Sequence, residues 1–201
     1  MKNPIRFTRT ARPGYTLIEL LMSFALVAIV VGFAYPRLDW ARFEADSGAR
    51  QVRVALQGAQ RLAVTQQSTV IVGVDSAQGR MRVLEDINGN LQADAGERIT
   101  WRTLDNGLAF LQPPTAVPAV TGAGAVVNLA GDIIDGYPSL IFRRDGSASA
   151  NAALYVRAMR HNDTHWRAVT VTKSTGRVDW YTTHAYRATA SSTLSWKRAN
   201  L

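Results

Sequence analysis

Polar and apolar positions divide this chain into three stretches. Between Leu17 and Tyr35 the only charged residue is Glu19, so a helix there is apolar on every face. That run of about 19 residues approaches the length of a bilayer core. From Pro36 to about Thr65 the pattern turns amphipathic. Ala45, Ala49, Val52, Leu56, Ala59 and Ala63 recur at steps of three and four, which builds one apolar face. Arg42, Glu44, Asp46, Arg50, Arg53 and Arg61 occupy the other faces. This predicts one long helix from near Tyr15 to near Thr65, its first half in a membrane and its second half on a sheet. The small residues of the stripe would let the sheet come close. Gly32 and Pro36 predict a kink or a locally melted turn between the halves.

After Gln67 the period changes to that of strands. Runs over 69–74, 80–84, 98–104, 108–111, 139–142, 153–158, 166–172 and 176–181 alternate or are rich in β-branched and aromatic residues. Turn residues separate them, including Asp145-Gly146-Ser147 and Ser174-Thr175-Gly176. Gln112 to Gly136, rich in Pro, Ala and Gly, reads as a long loop with an edge strand near Val126-Val127. A helix followed by consecutive strands argues for an α+β fold: a long N-terminal helix packed on a mostly antiparallel β-sheet head.

Charge adds a leader to this plan. Residues 1–14 carry Lys2, Arg6, Arg9 and Arg12 and no acid, which keeps that end cytoplasmic. A secretory signal would place its cleavage site after the apolar run; here the small residue, Gly14, precedes it. The chain divides into a cleaved leader (1–14), a membrane and assembly helix (15–36), an amphipathic continuation (37–66) and a β-rich head (67–201). There is no cysteine, so neither disulfides nor thiol chemistry are available.

Gly14-Tyr15-Thr16-Leu17-Ile18-Glu19-Leu20-Leu21 resembles the processing signature of type IV pilins and type II secretion pseudopilins, with Tyr15 in place of the usual Phe. The resemblance implies that a prepilin peptidase cuts after Gly14 and methylates the new amino group on Tyr15. An unpaired carboxylate in lipid costs several kcal/mol or takes up a proton. The resemblance implies that Glu19 instead pairs with the N-terminal amine of a neighbouring subunit and sets register during assembly. The alternative is a signal anchor with a chance glutamate. Phe142-x-x-Asp145-Gly146-Ser147 and Gly176-Arg177-Val178, behind one helix and many strands, are similar to the GspH/FimT branch of minor pilins and pseudopilins.

Two constellations in the head invite chemistry. Asp86, Asn88, Asn90, Gln92, Asp94 and Glu97 sit near the spacing of an EF-hand calcium loop, where alternate side chains face one ion. Leu91 occupies the position where such loops turn on glycine. The competing reading is an Asx-rich connection whose side chains bond their own backbone. His161 and His165 flank a turn with no third ligand placed by spacing. No nucleophile, base and orienting group are coupled by spacing, so an enzyme is not expected.

The formal charge is +8, but four positive charges leave with the leader, so the mature chain is only about +4. Arg143 to Arg198 holds ten bases against Asp145, Asp163 and Asp179, a balance that could bind phosphates. The resemblance also brings a Gly-Arg-x-Arg motif, which in some FimT-like pilins lies in a DNA-binding region. Here Gly176-Arg177-Val178-Asp179 keeps one arginine and replaces the other by an acid, leaving Arg187, Lys197 and Arg198 to compensate.

The expected function is a minor type IV pilin, anchored in the inner membrane by a single pass with its head in the periplasm, then incorporated at or near the filament tip. Its expected partners are the prepilin peptidase and other pilins. The alternatives are a type II secretion pseudopilin of the GspH type and a DNA-binding minor pilin for transformation. No cofactor is expected apart from calcium in the 86–97 loop.

Overall fold

The apolar stripe from Ala45 to Ala63 is the face that α2 (Trp40–Gln66) buries. The computed structural model describes residues 14–34, 40–105, 107–111, 113, 132–159, 165–184 and 195–199. The chain divides into two compact units, Met1–Asp39 and Trp40–Leu201. The first contains α1 (Leu17–Ala34), whose large apolar side chains from Leu17 to Val31 are exposed. Among the described residues, no helix is long and apolar enough to cross a membrane. The 18 residues of α1 extend about 27 Å, just short of a core about 30 Å thick. The residues between the helices, Pro36 included, and the leader before Gly14 lie outside the described residues. Continuity of one long helix, and a kink at Pro36, therefore fall there too.

In the second unit α2 packs on two antiparallel sheets, not one. The first has the order β3 (Arg98–Thr103), β2 (Arg80–Asp86), β1 (Thr69–Asp75), β6 (Tyr137–Phe142), β5 (Ile133–Ile134). The second has the order β10 (Ser195–Arg198), β9 (Val178–His184), β8 (Trp166–Val171), β7 (Ala152–Ala158), β4 (Leu108–Phe110). Register runs without a slip along the β1–β2 hairpin, from Thr69 opposite Asp86 to Asp75 opposite Arg80. The edge strand expected near Val126-Val127 lies outside the described residues, as does most of the long loop around it.

Alternate side chains of one strand serve different cores, as the pleat requires. Leu154 and Val156 of β7 join Val52, Leu56, Val70, Val72 and Phe142 in the central core beneath α2. Ala153 and Tyr155 of the same strand face the other way, with Trp166 and Ala168. Likewise Val70 and Val72 face the central core, while Ile71 meets Leu84, Ile134 and Ile141 on the far side. Small residues bring helix and sheet together: a Cβ on Gly48 would stand 2.8 Å from Leu108 Cδ1 and 2.9 Å from Val156 Cγ1.

An ion pair crosses this packing. Arg167 on β8 is 2% exposed; its Nε donates to Asp46 Oδ1 on α2 at 2.6 Å and its Nη1 to the Trp166 carbonyl at 2.9 Å. Removing one partner of such a pair strands the other charge. Arg167→Met is expected to destabilise the protein by about 2–4 kcal/mol, read as a lower urea midpoint in detergent. Adding Asp46→Leu to the same chain should recover part of that loss. A single variant as stable as the parent would show that the pair holds nothing.

Candidate assembly and ligand sites

Thr16 and Glu19 cap α1 reciprocally. Glu19 N–H donates to Thr16 Oγ1 at 3.3 Å, and Thr16 N–H donates to Glu19 Oε2 at 3.4 Å. Both bonds are long and exposed, but the pattern is a capping box: the first-turn acid satisfies an N–H that the helix leaves unpaired. Gly14 and Tyr15 precede it, with Tyr15 82% exposed. Gly14, Tyr15 and Glu19, the residues expected to carry cleavage, methylation and assembly, thus stand together at the start of α1.

The 86–97 loop closes on itself. Asp86, 1% exposed, accepts Gly89 N–H at 2.7 Å on Oδ1 and Leu91 N–H at 3.1 Å on Oδ2. Asn88 and Asn90 each accept the backbone N–H two residues on, at 3.0 and 2.9 Å, as Asx turns do. Their side-chain amides both donate to Asp94 Oδ2, at 2.7 and 2.5 Å. Glu97 accepts from Ile87 and Asp94 N–H at 3.0 and 3.1 Å. Leu91 makes the turn at φ +62°. Gln92 adds no side-chain bond to this set.

These contacts turn N–H groups, not oxygens, toward Asp94, so the loop as arranged does not fit a calcium ion. No group of three or more His, Asp or Glu gathers for a metal among the described residues. His161 lies outside them; His165 stands just before β8. Asp86→Ala would leave two inward N–H groups unpaired and is expected to cost about 2–4 kcal/mol. The urea midpoint should fall equally in EDTA and in millimolar calcium. A parent protein markedly more stable in calcium would show that the loop opens to a cation.

Of the candidate cations near the C-terminus, Arg177 and Arg198 converge on one acid. Arg177 Nε lies 3.2 Å from Asp179 Oδ2, and Arg198 Nη2 bonds Asp179 Oδ1. The hydrogen bond that Arg198 donates to Asp179, then the charge of that carboxylate, raises the Arg198 pKa. Asp179, the acid in place of the motif's second arginine, is therefore the bridge between them. Lys197 lies on β10, opposite Thr182, and Arg187 is outside the described residues.

Comparison with known proteins gives the N-terminal geometry its context. Residues 9–35 match the model of the prokaryotic N-terminal methylation motif. Among solved structures the chain is similar to the minor pseudopilin EpsH from the type 2 secretion system of Vibrio cholerae. The identity is 18%, over 67% of this chain and 94% of that one, with a TM-score of 0.45. No curated protein sequence matches it.

The head brings its two distant turn motifs into contact through a residue that no motif marks. Gln60 of α2 donates through Nε2 to the carbonyls of Gly146 and Thr175, both at 2.9 Å. The Asp145-Gly146-Ser147 turn also closes locally: Asp145 Oδ1 accepts the Ser147 hydroxyl at 2.7 Å and its N–H at 2.9 Å. The Ser147 bonds hold the Asp145 carboxyl below its usual range. Nothing in the helical pattern marks Gln60, because glutamine beside an apolar stripe is an ordinary surface choice. Glu19 did carry an unread signal: Thr16-x-x-Glu19 is itself a capping-box spacing.

Proposed function

We propose that this chain is a minor type IV pilin of the GspH/FimT kind. Prepilin peptidase cuts after Gly14 and methylates Tyr15. The mature chain sits in the inner membrane as a single pass with its head in the periplasm, and then enters a filament at or near its tip. The observation that supports this reading is Glu19, the one charge on a helix otherwise apolar all round, standing beside the cut site within a matched methylation motif.

The test is to express the full precursor with and without a prepilin peptidase and to weigh the product. Loss of residues 1–14 with gain of one methyl group is expected only when the peptidase is present. An uncut product in its presence would sink the reading.

A type II secretion pseudopilin shares every step up to the filament. Deleting the gene separates the two: loss of surface pili with normal exoprotein release favours the pilus, and the reverse favours secretion. A DNA-binding role finds less support, because Asp179 engages two of the candidate cations. A gel shift of duplex DNA at low salt tests it.

A further inference from the structure

The cavity between α2 and the β9–β10 edge, about 450 Å³ in volume, is lined by more cationic than anionic side chains, with Gln57 and Gln60 beside them. Three guanidinium groups line it, those of Arg53, Arg177 and Arg198, against the single carboxylate of Asp179. Asp179 is already engaged by Arg177 and Arg198. Two further donors have no partner: Arg53 Nε and the Trp180 indole Nε1 are both buried and make no hydrogen bond. Buried N–H groups are nearly always paired, and a charged one left alone is costly. A helix residue and a strand residue that both line this pocket each carry such a group.

We propose that this pocket receives one carboxylate, the side chain of an aspartate or glutamate on a partner subunit. A carboxylate offers two oxygens with several lone-pair sites, enough to take the Arg53 fork and the indole N–H together. It also answers the local excess of positive charge. A nucleic-acid backbone suits the site less well. It would set a row of phosphates against Asp179. The identity of the partner rests on the assembly reading given above. The carboxylate chemistry does not, so it is tested on the isolated chain.

The experiment uses the full-length protein in detergent micelles, labelled with ¹⁵N, with the Trp180 indole signal assigned through Trp180→Phe. Sodium acetate and the blocked peptide acetyl-Gly-Glu-Gly-amide are titrated against sodium chloride at matched ionic strength. The Trp180 indole N–H is expected to shift saturably with acetate and with the Glu peptide, while the corresponding Gln peptide leaves it unmoved. Arg53→Met should weaken the response at least tenfold, with the other four tryptophan signals in place to report an intact fold. Arg53→Lys, which keeps the charge and loses the Nε donor, should also weaken it. It serves as the test variant if the Met chain does not fold. Asp179→Asn, which frees two guanidinium groups, should tighten acetate binding.

An equal shift with chloride or the Gln peptide overturns the proposal, and so does a full response in the folded Arg53 variants. Saturation by a short DNA duplex but not by acetate or the Glu peptide also overturns it and assigns the pocket to phosphate.

Discussion

The Glu19→Gln chain is expected to be cut and methylated normally and yet to be missing from sheared filaments. Two roles are open to this side chain, and the substitution separates them. As a cap, Glu19 only accepts a hydrogen bond from Thr16 N–H, and a glutamine carbonyl does that nearly as well. As the partner of a neighbouring amine in lipid, it must carry charge, because pairing is what offsets the cost of the carboxylate there. Glu19→Ala loses both roles and should behave like Glu19→Gln in assembly. Intact-mass measurement of the membrane fraction reads processing, and immunoblots of sheared filaments read incorporation. Filaments restored by Gln and not by Ala would reduce Glu19 to a cap.

Gly176→Ala should destabilise the head by about 4–6 kcal/mol, a large part of the total for a domain of this size. A Cβ there would stand 2.1 Å from the Gly146 carbonyl oxygen and 2.5 Å from Gln60 Nε2. The first neighbour is backbone in a tight turn and has nowhere to go. The second can retreat only by giving up its bonds to Gly146 and Thr175, each worth about 1 kcal/mol or more. Gly176 also holds φ +62°, a conformation that costs a non-glycine residue about 1–2 kcal/mol. Urea unfolding followed by tryptophan fluorescence measures the loss. Gly58→Ala, in the same protein, is the control. Nothing lies within 4 Å of its added Cβ, so stability should hold or rise by up to about 1 kcal/mol. Equal effects from the two substitutions would show that the turn contact carries no energy.

The difference between these glycines also shows what was legible in the sequence. The stripe from Ala45 to Ala63 could be read because a helix repeats its buried face every three or four residues, and all six positions are buried. The strands could be read because β-branched runs between turn residues have few other uses. Their division into two sheets could not. In β7 every residue but Arg157 is buried, so alternation carries no sign of which side meets α2. β5 and β10, two and four residues long, are too short to show a period and take their conformation from the strands they pair with. At the site, the methylation motif was legible because its residues are contiguous. The Asp179–Arg198 half of the bridge comes from pairing across β9 and β10 and the pocket from packing α2 beside them, which no local spacing encodes.

The bond from Gln60 to the Thr175 carbonyl spans 115 positions of the chain, and this constrains the order in which the head can form. The helix that organises both sheets comes early, but the turns that fasten it come late. If the chain crosses the membrane N-terminal half first, the stripe of α2 stays partly uncovered until β7, β8 and the Gly176 turn have emerged. Contacts so distant close slowly, and an apolar face left open in the interval is prone to mispairing. Folding of this head would then be joined to its emergence: a chain halted before Thr175 has its scaffold but not its fastening.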